Sequence, residues 1–365
     1  MKLCIVHDIL MEYGGAERVL DSLLKIFPTA DLYTFYYNSS SHSLQKYKKY
    51  IKGISFVQHI PYIYKLGSYF SIFKLLSWIY FLSLNLDKYD VIISSTHSYG
   101  AKMVRGNMST FHMCYVHTTP RYLYGETHEL MCLRYLPFSI FFYPIKYLLI
   151  LVDRWGSRFP TVLIANSINT QNKIRKFYGK EAVLIYPPVS VLRVNKKCDS
   201  FFVTQARLVK QKGIKFIIKM CAKYRIRLVV IGDGYYKKEL LKFKRQNIIF
   251  TGFINEKKLA VMYSYARALI YNASSDDFGL IPAEALARGI PVICNMTGGV
   301  AEIVKPGING FSFEENNEKS FLDALKSAYT HQLNPSRCIN SVDKFSESNF
   351  KKNIQSCMRK REKKI

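Results

Sequence analysis

Short apolar runs that end in polar residues recur along this chain, and helical patterns separate many of them. The first is "KLCIVHDIL", followed by the glycine turn "EYGGAE" and then "RVLDSLLKIF". In that last segment Val19, Leu20, Leu23, Leu24 and Phe27 fall on one face of a 3.6-residue period, so the chain opens as strand, turn, helix. "DVIISST" (90–96), "FHMCYVH" (111–117) and "TVLIANS" (161–167) read as further buried strands. Pro187 and Pro188 force extended backbone, and a polar, basic stretch follows. Beyond it the rhythm becomes regular. Strands are expected at "SFFVTQA", "IRLVVIG", "NIIFTGF", "RALIYNA", "PVICN" and "NGFSF". Helices are expected at Ile214–Lys223, Tyr236–Arg245, Glu256–Tyr265, Pro282–Arg288, Val300–Val304 and Glu318–Tyr329, with another at Asn349–Arg361.

Strands alternating with helices build parallel sheets covered on both faces, so the fold class is α/β with two Rossmann-like halves. The halves are placed at 1–186 and 200–340, with a linker at 187–199 and a tail at 341–365. Length agrees, because 365 residues exceed one ordinary domain.

Composition narrows the partners. A hydrophobic share of 49% against 22% charged describes a globular chain with ample core. The net charge of +27 favours phosphate-bearing partners: nucleic acid, anionic lipid or a nucleotide. No acidic residue lies between Asp31 and Asp87, where Lys46, Lys48, Lys49, Lys52, Lys65 and Lys74 stand among aromatics. That mixture suits single-stranded nucleic acid or a membrane surface. The eight cysteines form no C-x-x-C pair and read as reduced thiols of a cytosolic protein. The N-terminus lacks the layout of a signal peptide. Two apolar stretches, Tyr69–Leu86 and Tyr135–Val152, are interrupted by Lys or Pro and read as buried or interfacial helices rather than membrane spans.

In open α/β sheets ligands bind beyond the carboxyl ends of the strands, so the polar residues there carry the candidate chemistry. Gly14 and Gly15 follow the first strand and either let a phosphate approach a helix N-terminus or make a plain tight turn. The dinucleotide fingerprint G-x-G-x-x-G is absent there, which disfavours a nicotinamide dehydrogenase. Arg207 and Lys212 lie past the next domain's first strand, as phosphate-binding cations or as solvated ones. "VIGDGY", with Gly232, could admit a planar base or be a simple turn. In "SSDDFGLIPAEALARG", Pro282 suits a first helical turn and Gly289 a C-terminal cap, which puts Glu284 at the helix start. Asp276 then lies on the loop before it, so the two acids would flank one pocket mouth lined by the backbone of Phe278, Gly279 and Leu280. No His/Cys/carboxylate spacing suggests a metal site. Paired carboxylates beside cations suit binding better than glycoside hydrolysis.

The ordered set "GGAE", "YVHTTPRYLY", "IANS", "RLVKQKG", "IGDG", "DDFGLIPAEALARGIPVI" and "TGGVAEIV" resembles the retaining GT-B glycosyltransferases of family four (group 1), most closely the mannosyltransferases of bacterial polysaccharide synthesis. The resemblance covers nearly the whole chain. It implies two Rossmann-like domains whose parallel sheets face each other across a cleft, acceptor bound by the first and nucleotide sugar by the second. It implies a C-terminal helix that returns to the N-terminal domain. By position Arg207 and Lys212 match the cations on the donor diphosphate, and Glu284 matches the glutamate on the ribose hydroxyls. Gly232, Phe278, Gly279 and Leu280 fall in donor-binding loops, and Gly14 and Gly15 in the glycine loop over the phosphates. His117 matches the histidine near the donor sugar. Asp276 stands where the family's E-x7-E motif has its first glutamate, one methylene shorter. Tyr13, Arg121 and Tyr122 are the acceptor-side candidates.

The resemblance further implies hexose transfer, mannose from GDP-mannose or a sugar from a UDP donor, to a lipid-linked or oligosaccharide acceptor. No cofactor, metal or nucleic acid is called for. The chain would be cytoplasmic and peripheral on the inner membrane face, with its lysines toward anionic lipid. The rival of another class is a non-enzymatic basic protein that binds nucleic acid or membrane. It explains the charge but not the ordered strand-end motifs.

Overall fold

The computed structural model describes residues 1–60, 77–97, 100–125, 138–189, 194–195, 197, 200–273 and 276–359, with the side chains of 138–143 set aside. The chain divides into two compact units, one of Met1–Tyr186 with Phe350–Ile365, the other of Pro187–Asn349.

The first unit holds a seven-stranded sheet. Its strands are β1 (Leu3–His7), β2 (Asp31–Thr34), β3 (Ile51–Ile54), β4 (Val91–Thr96), β5 (Phe111–Val116), β6 (Val162–Ala165) and β7 (Val183–Leu184). Their order is β3-β2-β1-β4-β5-β6-β7, and every pairing is parallel. β1, β4 and β5 are buried along their whole length, which is why they read as unbroken apolar runs. The edge strands β3 and β7 and the short β2 escape the sequence pattern: β7 has only two residues, β3 is interrupted by Lys52 and Gly53, and β2 offers only Leu32 and Tyr33, so none shows an apolar run. The Gly15–Ile26 helix buries Val19, Leu20, Leu23 and Leu24 against the sheet. The C-terminal helix Glu347–Arg359 adds Phe350, Ile354 and Cys357 to the same core.

A longer helix, Phe138–Gly156, carries Pro144 within it. One of its charged residues is buried while several apolar ones are exposed. Asp153 points inward, pairing with the buried Lys102 and accepting from Tyr124 Oη at 2.8 Å. Ile145, Leu148, Leu151 and Trp155 are exposed on another side, at spacings of three or four residues. Among the described residues no helix is long and apolar enough to cross a membrane. Of the Tyr69–Leu86 stretch, only residues 77–86 are described, and Ser77–Ser83 is helical.

The second unit holds six parallel strands: β8 (Phe201–Gln205), β9 (Leu228–Ile231), β10 (Ile248–Gly252), β11 (Ala266–Tyr271), β12 (Val292–Asn295) and β13 (Gly310–Phe313). The order is β10-β9-β8-β11-β12-β13. Consecutive strands step outward from β8 to one edge, and the chain then crosses to β11 and steps to the other. The crevice between β8 and β11 is therefore a topological switch point. Helices Ile214–Lys223 and Glu256–Tyr265 occupy the expected spans. Three expectations are corrected. The helix expected at Tyr236–Arg245 forms only over Lys237–Leu241, since Gly234 and two tyrosines hold its start in a turn. Val300–Val304 is instead a tight 3-10 turn over Gly298–Glu302. The helix expected from Pro282 begins at Leu280 and ends at Ala287.

Candidate functional site

In the second unit the switch point gathers the predicted donor residues of both flanking strands. Arg207 is exposed two residues past β8. Lys212 closes a 3-10 turn over Lys210–Lys212 and forms an ion pair with Asp276, on the loop after β11. The other Asp276 oxygen accepts from the Tyr271 hydroxyl. The turn after β8 is stitched to β11 by Asn272, whose Nδ2 donates to Gly213 O at 3.3 Å. Asp276 is thus an anchor as well as a candidate contact. It holds the ammonium that the resemblance assigns to phosphate.

The loop that follows is built around glycine. Gly279 has φ +96°, where an added Cβ would lie 2.8 Å from Val300 Cγ2, so a larger residue would strain backbone and packing together. Asp276 O accepts from Gly299 N at 2.9 Å, which ties this loop to the turn after β12. Phe278 is buried, edge-on to Phe345 at 5.1 Å. Because the helix begins at Leu280, Glu284 lies in its second turn, not the first as the capping pattern suggests. The sequence LIPAEALA is apolar except for that glutamate, and the helix is buried nearly throughout. Glu284 itself is only 2% exposed. The helix dipole therefore does not account for Glu284, and a carboxylate is not carried into such surroundings for solubility. Gly232, at the end of β9, has φ +127°, with the Ala206 carbonyl 2.0 Å from where a Cβ would sit. Only glycine fits between these strand ends.

In the first unit the polar residues at the ends of β1, β4 and β5 form one cluster. His7 and Asp8 are fully buried. Asp8 accepts from Thr96 Oγ1 at 2.9 Å and from the backbone of His97 and Ala101 at 2.7 and 2.9 Å, closing the β1–β4 junction. Gly14 caps the Gly15–Ile26 helix, and its N–H donates to Glu17 Oε2 at 2.8 Å. His117 follows β5, with Nε2 2.9 Å from Ser95 Oγ and its carbonyl accepting from Asn166 Nδ2 at 2.9 Å. Enclosure of its ring, with His97 and His7 nearby, keeps His117 well below the ordinary imidazole range, so it is neutral at physiological pH.

The acceptor-side candidates divide. Arg121 and Tyr122 are half-buried on the short helix Arg121–Tyr124 that follows Pro120, four and five positions past His117. Tyr13 is committed elsewhere. Its hydroxyl donates to Asp21 Oδ2 at 2.6 Å, and Lys46 lies over its ring at 4.5 Å while pairing with the same aspartate. Sequence reasoning does not single out His7, Glu17, Ser95 or Tyr271. Ser95 lies 88 positions from His7, and no local spacing signals a contact of that range. Among the described residues no group of three or more His, Cys, Asp or Glu side chains is arranged to hold a metal ion.

Residues 193–345 match the family model for glycosyl transferases group 1. An uncharacterized glycosyltransferase of Methanocaldococcus jannaschii is 32% identical over 123 residues, 31% of this chain and 32% of that protein. A GDP-mannose-dependent alpha-mannosyltransferase of Corynebacterium glutamicum is 29% identical over 118 residues, 32% of this chain and 28% of that protein. The chain thus spans about a third of the length of these relatives. Among solved structures, Anabaena HepE in complex with UDP-glucose superposes with a TM-score of 0.68 at 17% identity, over 98% of this chain and 99% of that one. The fold is GT-B: the two parallel-sheet α/β units are those the sequence pattern predicts, and GT-B is what the resemblance implies.

Proposed function

We propose that the chain is a retaining glycosyltransferase that moves mannose from GDP-mannose to a lipid-linked or saccharide acceptor in cell-surface polysaccharide synthesis. The observation that carries this reading is the assembly at the β8–β11 switch point, within the segment that matches the group 1 family model: Lys212, Asp276 and the buried Glu284 around a glycine-built loop. Sugar transfer breaks the bond from C1 to the diphosphate oxygen and forms a bond from C1 to an acceptor oxygen. Positive charge grows on the sugar and negative charge on the leaving diphosphate. Arg207 and Lys212 supply the compensating charge, so the reaction needs no metal ion. Glu284 takes the ribose hydroxyls, and Asp276 holds Lys212 toward the phosphates. The glycine turn of the first unit serves phosphate or sugar, and Arg121 and Tyr122 serve the acceptor. A mannose donor draws support from a relative named as a GDP-mannose-dependent mannosyltransferase. A UDP-sugar donor is the second reading, favoured by the UDP-glucose held by HepE.

The test is donor titration by thermal shift with GDP-mannose, UDP-glucose, UDP-GlcNAc and UDP-galactose, followed by release of the nucleoside diphosphate in the presence of saccharide acceptors. GDP-mannose is expected to give the largest shift. Glu284→Gln is expected to weaken donor binding about tenfold or more, and Asp276→Glu less, since a lost charge-assisted hydrogen bond costs roughly 1.5–3 kcal/mol. Equal affinities for the two variants would remove the ribose role of Glu284, and silence toward all four donors would sink the reading.

A further inference from the structure

The cluster at the ends of β1, β4 and β5 is one hydrogen-bonded chain, and its proton order can be read from one end. Glu17 accepts from Gly14 N–H at Oε2, 2.8 Å, and its Oε1 lies 3.4 Å from His7 Nε2. His7 Nδ1 is 3.0 Å from Ser95 Oγ, which is 2.9 Å from His117 Nε2. Burial alone would raise the Glu17 carboxyl, but the hydrogen bond from His7 holds it below its usual range. An ionised carboxylate only accepts, so His7 donates from Nε2. The Nδ1 of a neutral His7 then carries a lone pair and accepts the Ser95 hydroxyl proton. Ser95 has no second proton, so its oxygen accepts from His117 Nε2–H. The bare atom of His117 is Nδ1, which makes no hydrogen bond among the described residues.

We propose that Glu17 is a positioning residue that, through His7 and Ser95, locks His117 in the Nε2–H tautomer and presents its Nδ1 as a hydrogen-bond acceptor for a saccharide hydroxyl. The saccharide rests on the transferase reading; the tautomer rests on the hydrogen-bond geometry together with an ionised Glu17.

The test is long-range 1H–15N NMR of the full chain labelled at histidine, at pH 8, above the ordinary imidazole range. His117 is assigned by its loss in His117→Gln. The wild-type ring is expected to carry its proton on Nε2. Glu17→Gln keeps the shape but offers one acceptor oxygen. With that oxygen taken by Gly14 N–H, the amide donates to His7, and the His117 proton moves to Nδ1. Ser95→Ala cuts the chain and leaves a mixture of both tautomers, which keeps the proposal testable if Glu17→Gln does not fold. A wild-type proton on Nδ1 at pH 8, or a single unchanged tautomer in either folded variant, overturns the proposal. In transfer assays Glu17→Gln is expected to lower kcat/KM about tenfold, the size of one lost hydrogen bond. Absence of any transferase activity would undo the saccharide reading and leave the tautomer result standing.

Discussion

At the scale of single residues, what separates structural from chemical roles here is how a buried polar group is satisfied. His112 and His117 lie on the same strand or just past it, and both are kept neutral by enclosure. His112 points into the sheet interior, with Nε2 2.7 Å from Ser94 Oγ and Nδ1 buried without a partner. Burial pushes its imidazole down to about 3. Its consequence is stability rather than chemistry. Unfolding releases a histidine that titrates near 6.5, so the unfolded chain binds more protons than the folded one between about pH 3 and 6.5. Stability from this group is whole above pH 6.5 and declines as pH falls through that window, by about 1.4 kcal/mol per pH unit at the steepest. His112→Gln removes that dependence. Chemical denaturation at pH 7 and pH 5 is expected to give a smaller difference in the variant than in the wild type. An equal slope would mean that other groups govern the acid limb.

At the scale of elements, the sequence carried all six strands of the second sheet but lost β2, β3 and β7 of the first. β1, β4, β5, β9 and β12 are buried along their whole length, and a run of that kind is visible without any partner. β2, β3 and β7 owe their extended form to neighbours that the local sequence does not contain. The same reasoning applies to the site. Lys212 and Asp276 were legible as candidates because each follows a strand, and Glu284 because of a helix start that the structure shifts by two residues, whereas the Glu17–His7–Ser95 chain depends on which strands become neighbours. The Phe138–Gly156 helix repeats the point with opposite sign. A hydrophobic helix would be expected to turn its apolar face inward, yet Asp153 is the buried side, fixed by Lys102 and Tyr124, with Lys102 Nζ also 3.2 Å from Tyr178 Oη. Removing one member leaves a buried charge without its counterion. Asp153→Ala is therefore expected to cost about 3–5 kcal/mol in urea unfolding, and the double variant Lys102→Met/Asp153→Leu to recover most of it. A cost under 1 kcal/mol for Asp153→Ala would mean that water reaches the pair.

At the scale of the whole molecule, we propose that charge and exposed apolar surface together bring the chain to an anionic lipid surface. The formal charge of +27 is excessive for holding a diphosphate, which needs two or three cations. Lys48, Lys49 and Lys52 are exposed, while Lys46 is partly spent on Asp21, and Lys65 and Lys74 lie outside the described residues. An anionic leaflet attracts such side chains with about 1 kcal/mol each. Charge alone would give binding that vanishes in salt, because the Debye length falls from about 10 Å at 0.1 M to 3 Å at 1 M. Ile145, Leu148, Leu151 and Trp155 add a contribution that salt does not screen, since apolar area removed from water stabilises by about 25 cal/mol per Å². Arg154 and Arg158 are exposed at the same end of that helix, where headgroup phosphates would meet them. The two contributions predict different failures. Co-sedimentation with vesicles containing anionic lipid is expected to decline with salt to a residual plateau. Leu148→Glu/Leu151→Glu is expected to abolish the plateau while keeping the low-salt binding largely intact, and vesicles of neutral lipid are expected to capture little of either protein. Complete release of the wild type at high salt would leave electrostatics as the whole attachment. Binding that ignores both salt and lipid charge would mean that the exposed helix face, and not the lysines, decides where this protein works.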